Sequence, residues 1–211
     1  MSHNLPRRAL LAMSVMFAVG LSAIQPAQAD GKVAQAYVAD NIHKGLEILN
    51  NRALSKAQKE QQFQVFLLGL TDMKRIAMFT LGQYRRGASQ PDLDAFAGAF
   101  QNYATAVYQS YFSKYAGQTL KVTGVIERNP TDFVVRTNMI DPSAGGQQPL
   151  EVSFRIRTDE GKPVVVDVSV SGVWLSLEER DQFVSFLGQN GGNIRSLIGH
   201  LSELAKQYQN G

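Results

Sequence analysis

Apolar residues in the first half of the chain recur at the three- and four-residue spacing of amphipathic helices. Within residues 33–49, this spacing gathers four apolar side chains on one side of a predicted helix: Val38, Ile42, Leu46 and Leu49. A second helix is predicted after Ser55, because Ser55 and Gln58 form a capping-box pattern in which each side chain accepts a hydrogen bond from the other's backbone amide. This helix carries four large apolar residues: Phe63, Phe66, Leu67 and Leu70.

A third helix is predicted from Asp72 to Gly82, since glycine takes the positive φ that ends a helix without steric cost. The longest helix follows Ser89, with Pro91 in its first turn, and Gly117 is expected to end it. Its apolar face is rich in aromatic residues: Phe96, Phe100, Tyr103, Val107 and Tyr111. A stripe of this kind is typical of a helix packed on a core.

The period changes from helical spacing to alternation at Thr119, which predicts β-strands. Two strands flank the turn residues 129–132, a third covers residues 150–156, and a fourth covers residues 164–170. In the fourth strand, alternation predicts one dry face of four valines and places Asp167 on the other side: Val164, Val166, Val168 and Val170. Four sequential strands with short turns predict an antiparallel meander.

Two helices close the chain, the first with a capping-box pattern at Ser176 and the second capped by Asn193. Helices before and after a four-stranded antiparallel sheet predict an α+β domain in which the helices cover one face of the sheet.

The N-terminus has the pattern of a secretory signal peptide. Arg7 and Arg8 precede an uncharged apolar run over residues 9–24, and the small-x-small sequence Ala27-Gln28-Ala29 follows. The run is shorter than the roughly 18 residues of a membrane-spanning helix, which favours cleavage after Ala29 over an uncleaved anchor. We expect residues 1–29 to be removed and residues 30–211 to form a single domain.

The composition of the chain argues against several classes of function. The chain has 21 Lys and Arg against 18 Asp and Glu, and loss of Arg7 and Arg8 leaves 19 against 18, a net charge of +1. A nearly neutral domain is a poor candidate for nucleic-acid binding, in which clustered positive charge must neutralise phosphates. The chain has no cysteine, which excludes disulfides, thiolate metal sites and a cysteine nucleophile.

Catalytic motifs are missing from the sequence. His43 and His200 are far apart, with no partner at metal-ligand spacing, so no metal site is predicted. No Gly-x-Ser-x-Gly elbow, phosphate loop or zinc motif occurs. Asp167 is the one candidate base for an isomerase or hydrolase, but a solvated carboxylate, or one paired with Arg155 or Arg157, is the favoured interpretation.

Two blocks of sequence resemble the MlaC or toluene-tolerance family of periplasmic phospholipid-binding proteins. The first block contains Arg75-Ile76-Ala77, then Leu81-Gly82-Gln83-Tyr84, Ser89 and the pair Phe96 and Phe100. The second contains Asp167, Gly172-Val173, Leu175, Arg180, Phe183, Gly191, and Leu197-Ile198 followed by Leu201. Arg85 and Trp174 depart from the family pattern, at positions where an aromatic residue and a small serine are usual. Such departures fit a divergent branch linked to hopanoid metabolism.

The resemblance implies a cone-like roll with an apolar pocket, holding a phospholipid or hopanoid-like lipid as cargo without any cofactor. It implies a periplasmic carrier, not an enzyme, whose partners are an inner-membrane ABC transporter with an MCE-type ring and an outer-membrane lipoprotein complex. Tails are expected between the long helix and the sheet, in contact with Leu81, Tyr84, Phe96, Phe100, Tyr103, Val107, Val152, Phe154, Val166, Val168 and Trp174.

Basic residues near the third helix are expected to form a rim for the headgroup or a partner: Lys74, Arg75, Arg85 and Arg86. An ordinary solvated charged surface is the alternative for these four. Two further alternatives stay open for the domain: the isomerase or hydrolase using Asp167, and a noncatalytic envelope interaction domain with a filled core. The residues alone fit a closed, dry core as well as a lipid pocket.

Overall fold

The computed structural model describes residues 27–112 and 114–210. Four helices and a 3-10 helix come first: α1 (Ala27–Asn50), α2 (Lys56–Leu70), α3 (Met73–Thr80), the 3-10 helix (Gly82–Gly87) and α4 (Gln90–Phe112). Five strands follow: β1 (Thr119–Asn129), β2 (Asp132–Ile140), β3 (Leu150–Arg157), β4 (Val164–Val170) and β5 (Val173–Trp174). Two helices, α5 (Leu175–Gln189) and α6 (Ile194–Asn210), complete the α+β domain.

Side chains at the helix starts confirm most of the capping predictions. The Ser55 side chain accepts from the Gln58 amide and the Gln58 side chain accepts from the Ser55 amide, so the capping box of α2 is complete. Ser89 Oγ accepts from the Asp92 amide, and Asn193 Oδ1 accepts from the Arg195 amide. The predicted signal segment lies outside the described residues as far as residue 26, and its cleavage stays a prediction.

The capping box predicted at Ser176 is wrong. Helix α5 begins one residue earlier, at Leu175, and Trp174 occupies the N-cap position without a side-chain cap. The Ser176 hydroxyl instead donates to Asp167 of β4. The Ser176 side chain therefore binds a residue of a strand and does not cap its own helix. Local sequence spacing cannot reveal such a tertiary contact.

The five strands form one antiparallel sheet in the order β1-β2-β3-β4-β5, so the meander is confirmed and the predicted strand count of four is wrong. The missed strand, β5, has two residues, Val173 and Trp174. A strand this short carries no alternation that a sequence pattern could reveal. It follows a tight turn in which Ser171 and Gly172 both have positive φ.

Two hydrophobic cores lie on different parts of the domain. The sheet-side core joins α1 to one face of the sheet, through Ala34, Val38, Phe133, Val135, Ile156 and Val165. The helical core lies between α3, α4, α5 and α6, and includes Leu81, Phe96, Phe100, Tyr103, Phe183, Leu187, Leu197 and Leu201. Phe183 meets Phe96 and Phe100 edge-on, with ring centroids 6.2 and 6.3 Å apart. Such T-shaped contacts are the favoured geometry of enclosed aromatic rings.

Ion pairs stabilise the opposite face of the sheet. Arg155 donates two hydrogen bonds to the buried Asp132 carboxylate, at 3.0 and 2.7 Å, and Arg157 lies 3.7 Å from the same group. Burial would raise the pKa of Asp132, but the Arg155 hydrogen bonds and charge outweigh it and lower that pKa. Arg157 also holds Asp159, lowering its pKa to about 2. One face of the sheet is therefore polar and the other apolar.

Candidate functional site

Two apolar cavities lie between the helices and the apolar face of the sheet. The first chamber, about 240 Å³, is bordered by α1, α2 and strands β1 to β4. The second chamber, about 160 Å³, is bordered by α2, α4 and strands β3 and β4. Five residues belong to the walls of both chambers: Phe63, Leu67, Leu70, Phe154 and Val165. The chambers therefore adjoin along these side chains.

The first chamber is lined almost entirely by hydrocarbon. Helix α1 contributes Val38, Ile42, Leu46 and Leu49, the same four residues that helical spacing puts on one side of α1. Helix α2 contributes Phe63, Phe66, Leu67 and Leu70, and the sheet contributes Leu120, Met139, Phe154 and Val165. Asn41 and Gln118 are among its few polar neighbours. Such a lining offers dispersion contacts and water exclusion, but few hydrogen bonds, to a ligand.

The second chamber lies below α4, where Thr105, Tyr108 and Gln109 form part of its wall. Gln109 donates a hydrogen bond of 3.2 Å to Gln64, which links α4 to α2 beside this chamber. From the sheet, Val168 joins Phe154 and Val165. This wall mixes a few polar groups at the helices with an apolar floor on the sheet.

Helix α2 forms the roof of both chambers. None of its described side chains is fully buried, because its Phe and Leu residues border the chambers and its other residues, Val65 among them, face outward. Gly45 of α1 allows the close approach of this roof, since a Cβ at that position would lie 3.3 Å from the rings of both Phe63 and Phe66. The rings of Phe63 and Phe66 therefore contact α1, but α2 has no fully buried side chain among its described residues to hold it in place.

A polar groove of about 480 Å³ adjoins the first chamber, with Tyr37 and Leu70 in the walls of both. Its other walls include Asp72, Glu160 and Lys162. Arg75, one of the predicted rim residues, lies 3.3 Å from Glu160 at this groove and 3.5 Å from Asp159. Apolar chamber and charged groove thus follow one another along the molecule.

The structure divides the predicted tail-contact residues between three places. Phe154 and Val168 are in the chamber walls, and Val152 is buried on the same face of the sheet. Trp174 lies on β5. The remaining helix residues lie in the helical core or pack against it: Leu81, Tyr84, Phe96, Phe100, Tyr103 and Val107. The aromatic stripe of α4 consequently packs on other helices, while α1 and α2 form the chamber walls.

The fourth strand differs from its predicted alternation because it contains a β-bulge. Arg155 pairs with Asp167, but the next residue, Ile156, pairs with Val165, so Val166 is the extra residue. The bulge shifts the pattern, and Val165 takes the chamber position predicted for Val166. The predicted dry face is therefore confirmed for Val168 and Val170 and wrong before the bulge, where Val165 lines the chambers and Val164 pairs with Arg157.

Asp167 is enclosed and hydrogen-bonded, so the expectation of a solvated carboxylate is wrong, whereas the expected neighbour Arg155 does lie opposite it on β3. Its oxygens accept from the Ser176 amide at 3.1 Å, from the Ser176 hydroxyl at 2.5 Å and from the Val168 amide at 2.9 Å. It pairs across the sheet with Arg155, on the face opposite Phe154 and Val168. Asp167 therefore fixes the start of α5 on β4.

A second enclosed carboxylate lies in the helical core. Tyr103 donates a hydrogen bond of 2.9 Å to Glu179 Oε1, while Oε2 is buried and has no hydrogen-bond partner within the described residues. Burial, the main cause, and the charge of Glu178 raise the pKa of Glu179, although the Tyr103 hydrogen bond opposes the shift. Burial and the nearby Glu179 likewise raise the pKa of Tyr103.

The predicted rim residues occupy two separate surfaces. Lys74 pairs with Asp94 at 2.8 Å, and Arg75 lies at the polar groove. Arg85 and Arg86 instead line another groove together with Arg180. Within residues 27–112 and 114–210, no cluster of His, Asp or Glu is arranged to hold a metal ion. Over the same residues, no helix has the length and apolarity needed to span a bilayer.

Comparison with known proteins identifies the relatives of this fold. A solved structure of a phospholipid-binding protein from Ralstonia solanacearum, in complex with a phospholipid, superposes with a TM-score of 0.73 at 21% sequence identity. The match covers 83% of this chain and 98% of that protein. The family model described as MlaC protein matches residues 39–203, which include the second half of α1, all of α2 and α4, and the whole sheet. The chain belongs to the MlaC protein family.

Proposed function

We propose that this protein is a lipid carrier that holds the acyl chains of a phospholipid in the two chambers. The observation that carries the proposal is the pair of adjoining apolar chambers between α1, α2, α4 and the sheet. A lipid with two tails has two hydrocarbon chains that meet at the headgroup, and two chambers with a common wall suit that shape. Membership of the MlaC family and the phospholipid complex of the Ralstonia solanacearum protein support the same ligand class.

The free energy of lipid binding comes mainly from shielding the acyl chains from water. Each methylene that leaves water for an apolar site gains about 0.8 kcal/mol, so tails need contact area more than specific hydrogen bonds. Phe63, Leu67 and Phe154 are among the residues that provide this contact area. The residues that line the first chamber include no charged side chain. The headgroup belongs in the charged groove beside Tyr37 and Leu70, where Lys162 is suited to a phosphate.

The cellular setting is part of the proposal. After cleavage near Ala29, the domain would work in the periplasm and exchange lipid with an inner-membrane ABC transporter that carries an MCE-type ring. An outer-membrane lipoprotein complex would be the second exchange partner. The family resemblance supports these partners, and the chemistry of a lipid that must cross water requires some donor and acceptor membrane.

The two competing functions have less support from the geometry. An isomerase or hydrolase would need Asp167 in the ligand cavity, but this carboxylate binds the start of α5 on the other face of β4. An interaction domain with a filled core would need solid packing where the two chambers lie.

Mass spectrometry of protein purified from a lipid-containing host tests the proposal directly. We expect phospholipid to copurify, and we expect lipid-stripped protein to take up a fluorescently labelled phospholipid. Lipid-free protein that also fails to take up the labelled phospholipid would contradict the carrier function.

A matched pair of variants on α2 tests the location. Leu67 is in the walls of both chambers, whereas Val65 on the same helix is 66% exposed. Leu67→Trp should reduce uptake about tenfold because the larger side chain occupies the space of a tail, while Val65→Trp should leave uptake unchanged. Equal uptake by the two variants would show that the lipid binds elsewhere.

A further inference from the structure

A groove of about 590 Å³ separates α3 and the 3-10 helix from α5, on the side of the helical core. Its walls consist of Met78, Phe79, Gly82, Gln83, Arg85, Arg86 and Arg180, and we call it the arginine groove. These residues differ from those in the walls of the two chambers. The arginine groove is therefore a separate feature from the proposed tail site.

The three arginines of this groove are not neutralised. Four other arginines pair with carboxylates: Arg75, Arg155, Arg157 and Arg195. By contrast, no Asp or Glu among the described residues forms an ion pair with Arg85, Arg86 or Arg180. Three guanidinium groups in one groove repel each other, and a carboxylate ligand would relieve that repulsion.

Backbone geometry brings these side chains together. Gly82 has a φ of +54°, and a Cβ there would lie 2.8 Å from Val184 and 3.3 Å from Arg180 Nε. The start of the 3-10 helix thus approaches α5 more closely than any residue with a side chain allows. Because of this approach, Arg85 and Arg86 in the last turn of the 3-10 helix share a groove with Arg180.

An aromatic ring orients one of the guanidinium groups. The Arg180 guanidinium carbon lies 5.1 Å from the centroid of the Phe79 ring, a cation–π contact. Stacking on a ring covers one guanidinium face and leaves the N–H edge free for an acceptor. Phe79 is itself 40% exposed, and Leu177, one turn before Arg180 on α5, is 45% exposed. Arginine beside exposed aromatic and apolar residues is the composition of protein interfaces.

We propose that the arginine groove docks an acidic segment of a protein partner. Carboxylates of the segment would bind the N–H edges of Arg85, Arg86 and Arg180, and an apolar side chain would cover Phe79. Bidentate pairing suits guanidinium and carboxylate groups, which have matching planar geometry.

The shape and charge of the surface favour a protein segment over a membrane. The arginines line the walls of a concave groove, which a chain segment can enter and a flat bilayer cannot follow. Electrostatic binding to anionic membranes generally uses clusters of 4–8 basic residues, more than the three found here. The formal net charge of the whole chain is +3, so general attraction to an anionic bilayer is weak.

Binding of a fluorescein-labelled deca-glutamate peptide, measured by anisotropy on lipid-stripped protein at low salt, tests the proposal. The triple variant Arg85→Gln, Arg86→Gln, Arg180→Gln should bind about tenfold more weakly, since each exposed pair contributes a few-fold in affinity. The matched control Lys32→Gln, Arg52→Gln, Lys121→Gln removes the same charge at exposed positions elsewhere and should stay within about twofold of wild type.

Two further arms make the outcome decisive. The double variant Arg85→Gln, Arg86→Gln keeps the contact between Arg180 and Phe79, so its weaker binding cannot be attributed to loss of that contact. Equal loss in the control triple variant would overturn the proposal, as would absence of peptide binding to wild type. So would sedimentation with phosphatidylglycerol vesicles that depends on the three arginines while peptide binding does not. Uptake of labelled phospholipid by the groove variants should equal that of wild type, which separates this inference from the carrier function.

Discussion

Phe96 of α4 and Phe66 of α2 both project from helices onto apolar neighbours, but their surroundings differ. Phe96 is fully enclosed and lies against Phe100 and Phe183 in the helical core. Phe66 is half-buried and borders the first chamber. The helical core is filled, whereas the sheet-side core leaves space next to it. Aromatic content therefore does not distinguish a structural core from a ligand site, and the packing around each ring does.

The largest expected effect compares these two phenylalanines directly. Phe96→Ala should lower the free energy of unfolding by about 3–5 kcal/mol, because it leaves a cavity in a close-packed core. Phe66→Ala should cost about 1 kcal/mol, because its ring already borders empty space and is partly exposed. Urea denaturation of lipid-stripped protein measures both, and losses of the same size would contradict the distinction between filled and hollow regions.

Enlarging a side chain in each region tests the same distinction in the opposite direction. Ala106→Leu in the helical core should destabilise the protein by about 1–3 kcal/mol, since no space is available for three more carbon atoms. Val168→Phe faces the second chamber and should change stability by less than about 1 kcal/mol. The same Val168→Phe variant should take up less labelled phospholipid. Thermal unfolding and lipid uptake together check the pair, and a severe loss of stability in Val168→Phe would show that the chamber has no room.

Removal of the lipid should affect the two regions unequally. Without tails in the chambers, amide hydrogen exchange in α2 should accelerate about tenfold, because this roof has few enclosed side chains of its own. Exchange in α6, which contributes Leu197 and Leu201 to the helical core, should stay nearly constant. Mass-spectrometric exchange on loaded and stripped protein measures both helices. Uniform acceleration would mean that the lipid stabilises the whole domain equally.

The smallest effect concerns the enclosed carboxylate of the helical core. The folded-state pKa of Glu179 lies above its ordinary value of 4.5, so the folded protein binds this proton more tightly than the unfolded chain. The stability linked to Glu179 is therefore complete below pH 4.5 and decreases as pH rises through the folded-state pKa.

Glu179→Gln removes this titration and should flatten the corresponding part of the stability profile, with a change of about 1 kcal/mol or less. Urea unfolding at a series of pH values measures the difference, with Glu127→Gln at an exposed position of β1 as the control. A profile that keeps its wild-type slope in Glu179→Gln would assign the pH dependence to other groups.

Helix positions and the order of the strands could be predicted from the sequence, because capping and alternation are local. Ser55 with Gln58 marks the start of α2, and the spacing of Val38, Ile42 and Leu46 identifies the apolar side of α1. The same local patterns do not say which partner each apolar face meets. The stripe through Phe96 and Phe100 therefore fits a pocket wall as well as the helical core in which it lies.

The chamber walls contributed by α1 and α2 were missed for the same reason. Phe63, Phe66, Leu67 and Leu70 are visible in the sequence as the apolar residues of α2, and nothing in their spacing separates a chamber roof from a packed helix. Gly45 is the one local signal that could have helped, because a glycine inside a helix often marks the close approach of another element.

The bulge at Val166 decides which side chains of β4 face the chambers and which face the other side of the sheet. In a regular strand, Val165 and Asp167 would point the same way, and a carboxylate would share the oily compartment with the cargo. The additional residue turns them to opposite sides. Val165 can therefore contribute to the apolar chamber wall while the Asp167 carboxylate holds the start of α5. Deleting Val166 would make Val165 and Asp167 neighbours and leave them on opposite sides, whereas regular pairing with every residue retained would place the carboxylate on the same side as Val165.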